Sequence, residues 1–191
     1  MRRLGLLAII AALASTGALP AQAAKVKLKR HESANWVWYA PKGWVAAQGF
    51  AGIDISSPDR GRKHVGYGFS GTAFPVSHQE VVDYSIATGG LDVHPLRNAR
   101  IISSGGPFSF AGGVRRVYQW AGFRKDLKHR TRGTLKVDVF DDDSTATYGF
   151  AVTVYNSPKR RWKRVKRLLT RVSKLIFYKP HDPFARAGPN P

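Results

Sequence analysis

The chain has 191 residues and sets 31 lysines and arginines against 12 acids, a formal charge of +19. That length suffices for one domain with its own core, and a charge so far from zero attracts polyanions. There is no cysteine, which excludes disulfides, thiolate metal sites and cysteine nucleophiles.

In chain order, Arg2 and Arg3 precede an apolar stretch from Leu4 to Leu13 and an Ala21-Gln22-Ala23 ending. This is the make-up of a cleavable signal peptide over 1–23. Gly5 stands where a twin-arginine signal carries a large apolar residue, so the general secretory route is expected. No later stretch offers the roughly 20 apolar residues that span a bilayer. The expected product is exported, either secreted or held at the periplasm or cell envelope. Residues 24–34 read as a flexible lead, 35–178 as a single α+β domain and 179–191 as a disordered tail.

Within the domain, Trp36–Tyr39 reads as a strand stopped by Pro41-Lys42-Gly43, and Ile53–Ser57 as a second. His64–Gly71 alternates Val65, Tyr67 and Phe69 with small or polar residues, the period of a third strand. Ser77 and Glu80 have the spacing of a capping box, with Val76 and Val81 placed as a hydrophobic staple, so a short helix runs to about Ala87. Gly89-Gly90 stops it. Ala99–Ser104, Val114–Phe123, Gly133–Phe140 and Thr145–Tyr155 read as further strands. In the last two, alternation predicts one buried and one wet face, with Asp141-Asp142-Asp143 as their turn. Ser157 and Pro158 then look like the N-cap and first residue of a helix. Trp162, Val165, Leu168, Leu169, Val172 and Ile176 form its apolar stripe. The expected fold is α+β: an antiparallel sheet of about six to seven strands, one short middle helix, and a long C-terminal helix laid on the sheet.

This order resembles the PsbP-like fold. The residues that carry the likeness are Tyr39-Ala40-Pro41-Lys42-Gly43-Trp44, similar to that superfamily's opening Pro-x-Gly-Trp turn, and the strand–helix unit from Tyr148 to Phe177. Its members include photosystem accessory proteins, a nuclear transport factor and exported actinobacterial proteins of the LpqN type. The resemblance implies a non-enzymatic binding or accessory role. The chain departs from the lipoprotein members in lacking a lipid-bearing cysteine, and no ligand-binding motif matches.

The terminal helix holds the sharpest signal. Lys159, Arg160, Arg161, Lys163, Arg164, Lys166 and Arg167 lie on it, followed by Arg171 and Lys174, with no acid among them. Like charges four apart each cost a few tenths of a kcal/mol. Cations in a first helical turn oppose the dipole by roughly 0.3–1 kcal/mol each. A segment that works against its own stability points to an anionic ligand: a lipid surface, a cell-wall polymer or nucleic acid. Arg171 and Lys174 are expected to pair with Asp141-Asp142-Asp143. Trp120, between Arg115-Arg116 and Arg124-Lys125, is a candidate stacking ring.

Other motifs carry less. Gly66 to Gly71 spells G-x-G-x-x-G, but inside a strand, so no dinucleotide or other cofactor is implied. The six histidines have no metal spacing, and the triple aspartate lacks a calcium loop. Asp92, His94 and the Asp141-Asp142-Asp143 turn would serve a rival reading, a secreted hydrolase acting on nucleic acid or cell wall. That reading needs a deep pocket where they converge, whereas separate loop ends are expected. A third reading is a protein-interaction module.

Overall fold

The structure, a computed structural model, describes residues 26–92, 94–110, 113–142 and 147–179, apart from the side chains of 141, 142 and 147. The proposed signal peptide, the end of the tail and the Asp143 corner lie outside these residues. The strands are β1 (Leu28–Glu32), β2 (Trp36–Pro41), β3 (Val45–Gln48), β4 (Gly52–Ser56), β5 (His64–Thr72), β6 (Leu96–Phe110), β7 (Gly113–Arg124), β8 (His129–Asp142), β9 (Thr147–Pro158) and β10 (Ile176–Tyr178). The helices are α1 (His78–Ala87) and α2 (Trp162–Ser173), the latter preceded by one 3-10 turn, Lys159–Arg161. None of these helices is long and apolar enough to cross a membrane.

Seven strands form one antiparallel sheet in the order β3-β4-β5-β9-β8-β7-β6. The other three form a small sheet, β1-β2-β10, also antiparallel. Alternation sorts the side chains. On one face Tyr118, Trp120, Leu135, Val137 and Val154 meet Val81 and Val82 of α1. On the other, Ile53, Ile55, Val65 and Tyr155 meet Trp162, Leu169 and Val172 of α2, together with Trp36 and Trp38 of β2. The large sheet is therefore sandwiched between α1 on one side and α2 with the small sheet on the other.

The capping box is present as expected: Ser77 accepts from the Glu80 amide at 3.2 Å, and the Ser77 amide donates to Glu80 Oε2 at 2.7 Å. The structure departs from expectation in several places, with β3 unforeseen and β6 longer at both ends. Within the supposed flexible lead, Leu28–Glu32 pairs with β2, because a half-open β2 edge rewards any extended neighbour. The helix does not begin at Pro158. Ser157 and Asn156 are fully buried, and β9 pairs with β8 through Pro158, so the ladder claims residues whose local chemistry favours a cap. Ile176 leaves the expected stripe to pair with Trp38 in β10. The expected wet faces of β8 and β9 are largely covered too, since α2 with the small sheet packs on one face of the large sheet and α1 on the other. Asp138 is buried and held by Arg115 Nε at 2.5 Å and Nη2 at 2.7 Å.

Candidate anion-binding surface

Three apolar anchors orient α2. Trp162 stacks on Tyr155 with ring centroids 6.1 Å apart, and Leu169 and Val172 are fully buried. With those positions turned inward, helical geometry turns Lys163, Arg164, Lys166 and Arg167 to solvent, and all four are exposed. The 3-10 turn adds Lys159, Arg160 and Arg161, also exposed. Thus the cations expected in the first helical turn occupy the turn just before it. Neither that turn nor α2 has an acid in its first turn or a side-chain cap.

Counterions decide whether this face is neutralised. Glu32 pairs with Arg30 and Lys179, Asp59 with Lys63, Asp126 with Arg124, and Asp138 with Arg115. Asp54 holds His64, Glu80 is spent in the cap, Asp83 accepts from Gln79, and Asp92 lies beside Arg124. Every carboxylate whose side chain is described is thus engaged away from the 3-10 turn and α2. Arg171 donates to the Val26 carbonyl. The aspartates expected to pair with it and with Lys174 lie outside the described side chains. Two further groups are shifted mainly by burial, with nearby cations adding to it. Burial, then Arg124 and Arg62, with Arg160 contributing, holds His129 below the usual histidine range. Burial, then Arg115 and Lys174, holds Lys136 below the lysine range.

Sequence reading missed a neighbouring feature. A groove of about 570 Å³ opens where the 3-10 turn meets the large sheet. Arg100, Arg130, Arg132 and Lys159 line it, with Ile102 and Phe123 as apolar walls, and none of its lining residues is acidic. The available signal was the two-residue spacing of Arg130 and Arg132, which puts both on one sheet face. Trp120, the proposed stacking ring, is not part of this surface. It is fully buried, because Gly133 opposite leaves room for the indole to lie flat against the β8 backbone.

Asp92 and His94 share one turn, while the aspartate turn of the rival reading lies outside the described side chains. The His94 amide donates to Asp92 Oδ1 at 3.2 Å, and the His94 ring lies 3.9 Å from Asp126. Their centre is Arg124, buried, which donates to Gly61 and Arg60 carbonyls at 2.8 and 3.2 Å and to Asp126 Oδ2 at 2.5 Å. Burial raises the Asp92 carboxyl above its usual range, with its side chain fully shielded. The Arg124 hydrogen bond lowers Asp126. Next to them, Asn156 donates to His64 Nδ1, so His64 presents Nε2–H to Asp54 at 2.8 Å. Among the described residues no serine hydroxyl bonds either histidine. The basic groove does not reach this cluster, and neither does an apolar one of about 640 Å³ between α1, β5 and β9. The cluster ties turns together.

No protein-family model matches the chain, and no curated protein matches it in sequence. Among solved structures, it is similar to the cyanobacterial PsbP of Synechocystis, at 13% identity and a TM-score of 0.46, covering 83% of this chain and 96% of that one. It is similar to the Ran-binding protein Mog1p of Saccharomyces cerevisiae, at 8% identity and a TM-score of 0.45, covering 80% and 96%. It is also similar to LpqN of Mycobacterium tuberculosis, involved in cell envelope biogenesis, at 12% identity and a TM-score of 0.43, covering 81% and 91%. The likeness concerns the course of the chain.

Proposed function

We propose that this chain is an exported, non-enzymatic binding or accessory protein that engages an anionic surface or polymer through the 3-10 turn and α2. One observation carries the reading: seven exposed cations share a rigid, core-anchored face while every described carboxylate is engaged elsewhere. Clustering like charge without counterions destabilises the free protein. An anionic partner relieves that repulsion and releases its own counterions.

The test is titration of the purified chain against anionic vesicles, an anionic wall polymer and single-stranded nucleic acid at stepped salt. With several phosphate contacts, affinity should fall by about a thousandfold or more between about 50 and 200 mM salt. Replacing Arg160, Arg161 and Arg164 together by alanine should weaken binding and flatten that salt slope. Absence of binding to all three at low salt removes the reading.

A further inference from the structure

We propose that the groove lined by Arg100, Arg130, Arg132 and Lys159 is a phosphodiester subsite, which takes one linkage of a phosphate-linked polymer whose remainder runs over α2. The proposal rests on the anion-binding reading above and names the chemistry of its ligand.

Register builds the subsite. Ala121 of β7 faces Arg100 of β6 on one side and Arg132 of β8 on the other. Adjacent strands are about 4.8 Å apart, so the arginines flank a gap of two strand spacings whose floor is a single methyl group. One step along, Phe123 faces Arg130. From the next strand, Ser157 pairs with Arg132, and two residues later the chain delivers Lys159 to the rim.

Several features select a phosphodiester. Guanidinium forks match a pair of phosphate oxygens, giving two parallel charge-assisted bonds where an ammonium gives a point charge. Three of the four cations here are arginines. The volume lies within the roughly 300–1,000 Å³ typical of small-ligand sites, so it holds a phosphate with its neighbouring linker. Phe123 and Ile102 supply an apolar surface for that linker, which a free inorganic anion would not use. Lys159 belongs both to the groove and to the cationic turn before α2, so a ligand chain leaving the groove meets that face without a break. Since no lining residue is acidic, nothing within the groove competes for the arginines.

The experiment compares four probes at fixed low salt: poly(glycerol phosphate), a short oligothymidylate, polygalacturonate, and phosphatidylglycerol vesicles. The first two carry phosphodiesters along a chain on different linkers, the third carries carboxylates only, and the fourth presents a phosphodiester headgroup fixed on a lipid surface, where no chain can thread the groove. The groove variant Arg100→Ala/Arg132→Ala should lose about tenfold or more on either phosphodiester chain, and markedly less on polygalacturonate and vesicles. The charge-keeping variant Arg100→Lys/Arg132→Lys should leave polygalacturonate binding intact yet still weaken the phosphodiester chains, because the fork is gone. A helix variant, Lys163→Ala/Arg164→Ala/Arg167→Ala, should weaken every probe. If the groove variant loses no more on phosphodiesters than on polygalacturonate while the helix variant weakens all four, the subsite is wrong and the anion-binding reading stands. If no probe binds the unaltered chain, both fall. Tight binding of oligothymidylate alone or of poly(glycerol phosphate) alone, lost in the groove variant, supports the subsite and identifies the linker it prefers. Thermal melts of each variant separate lost binding from lost folding.

Discussion

Gly133 faces Trp120 across the β7–β8 ladder, and a Cβ there would lie only 2.4–2.6 Å from atoms of the indole. The ring is fully buried and cannot swing away without opening the core under α1. Gly133→Ala should therefore cost about 1–3 kcal/mol, read as a lower urea midpoint with unchanged slope. Gly66 has a related role: a Cβ there would lie 2.7 Å from Asp54 Oδ1 and 3.2 Å from the His64 ring. Close approach, not phosphate binding, accounts for this glycine in the G-x-G-x-x-G string. At this scale the sequence was uneven to read. The Ser77–Glu80 cap was legible because all its partners lie within three residues. The burial of Trp120 was not, since it depends on a glycine 13 positions away in the chain. Nor was the meeting of Arg100 with Arg132, which requires a register that no local pattern encodes.

Among elements, one side chain fastens several turns. Arg124 ends β7 and reaches back to the β4–β5 turn at Arg60 and Gly61, sideways to Asp92 after α1, and forward to Asp126. Its two carboxylates respond to pH in opposite senses. Asp126 is held below its usual value of 3.8 by the Arg124 hydrogen bond, so its stabilisation is present above that value and lost as pH falls below it. Asp92 is raised above 3.8 by burial, so its contribution is full below that value and fades as pH climbs through the raised one. Asp126→Asn should make melting temperature less sensitive to pH below about 4, followed by thermal melts across a pH series. Steepening, or no change, in that acid limb would count against the assignment. Element identities were largely legible from alternation. The ends were not, and Ser157-Pro158 shows why: a sound local helix start yields to a ladder bond from β8, a partner some 26 residues upstream.

For the molecule as a whole, the formal charge of +19 makes salt act in two directions. Screening shortens the reach of repulsion to about 8–10 Å at physiological ionic strength, so added sodium chloride should raise the melting temperature while it weakens polyanion binding. Calorimetry and binding titrations in the same buffers test the pair, and a melting temperature that falls with salt would contradict it. The three-stranded sheet has a different consequence. β10, the last described strand, pairs along β2, near the front of the domain, and the Lys179 amide closes on the Asn35 carbonyl at 2.7 Å. A growing chain cannot make this pairing until Tyr178, the partner of Trp36, has been synthesised. Contacts so distant along the polypeptide form slowly. Until β10 has been made, the side of Trp36 that Tyr178 covers stays bare. A truncation removing β10 should leave a species that chaperones hold rather than a smaller native fold.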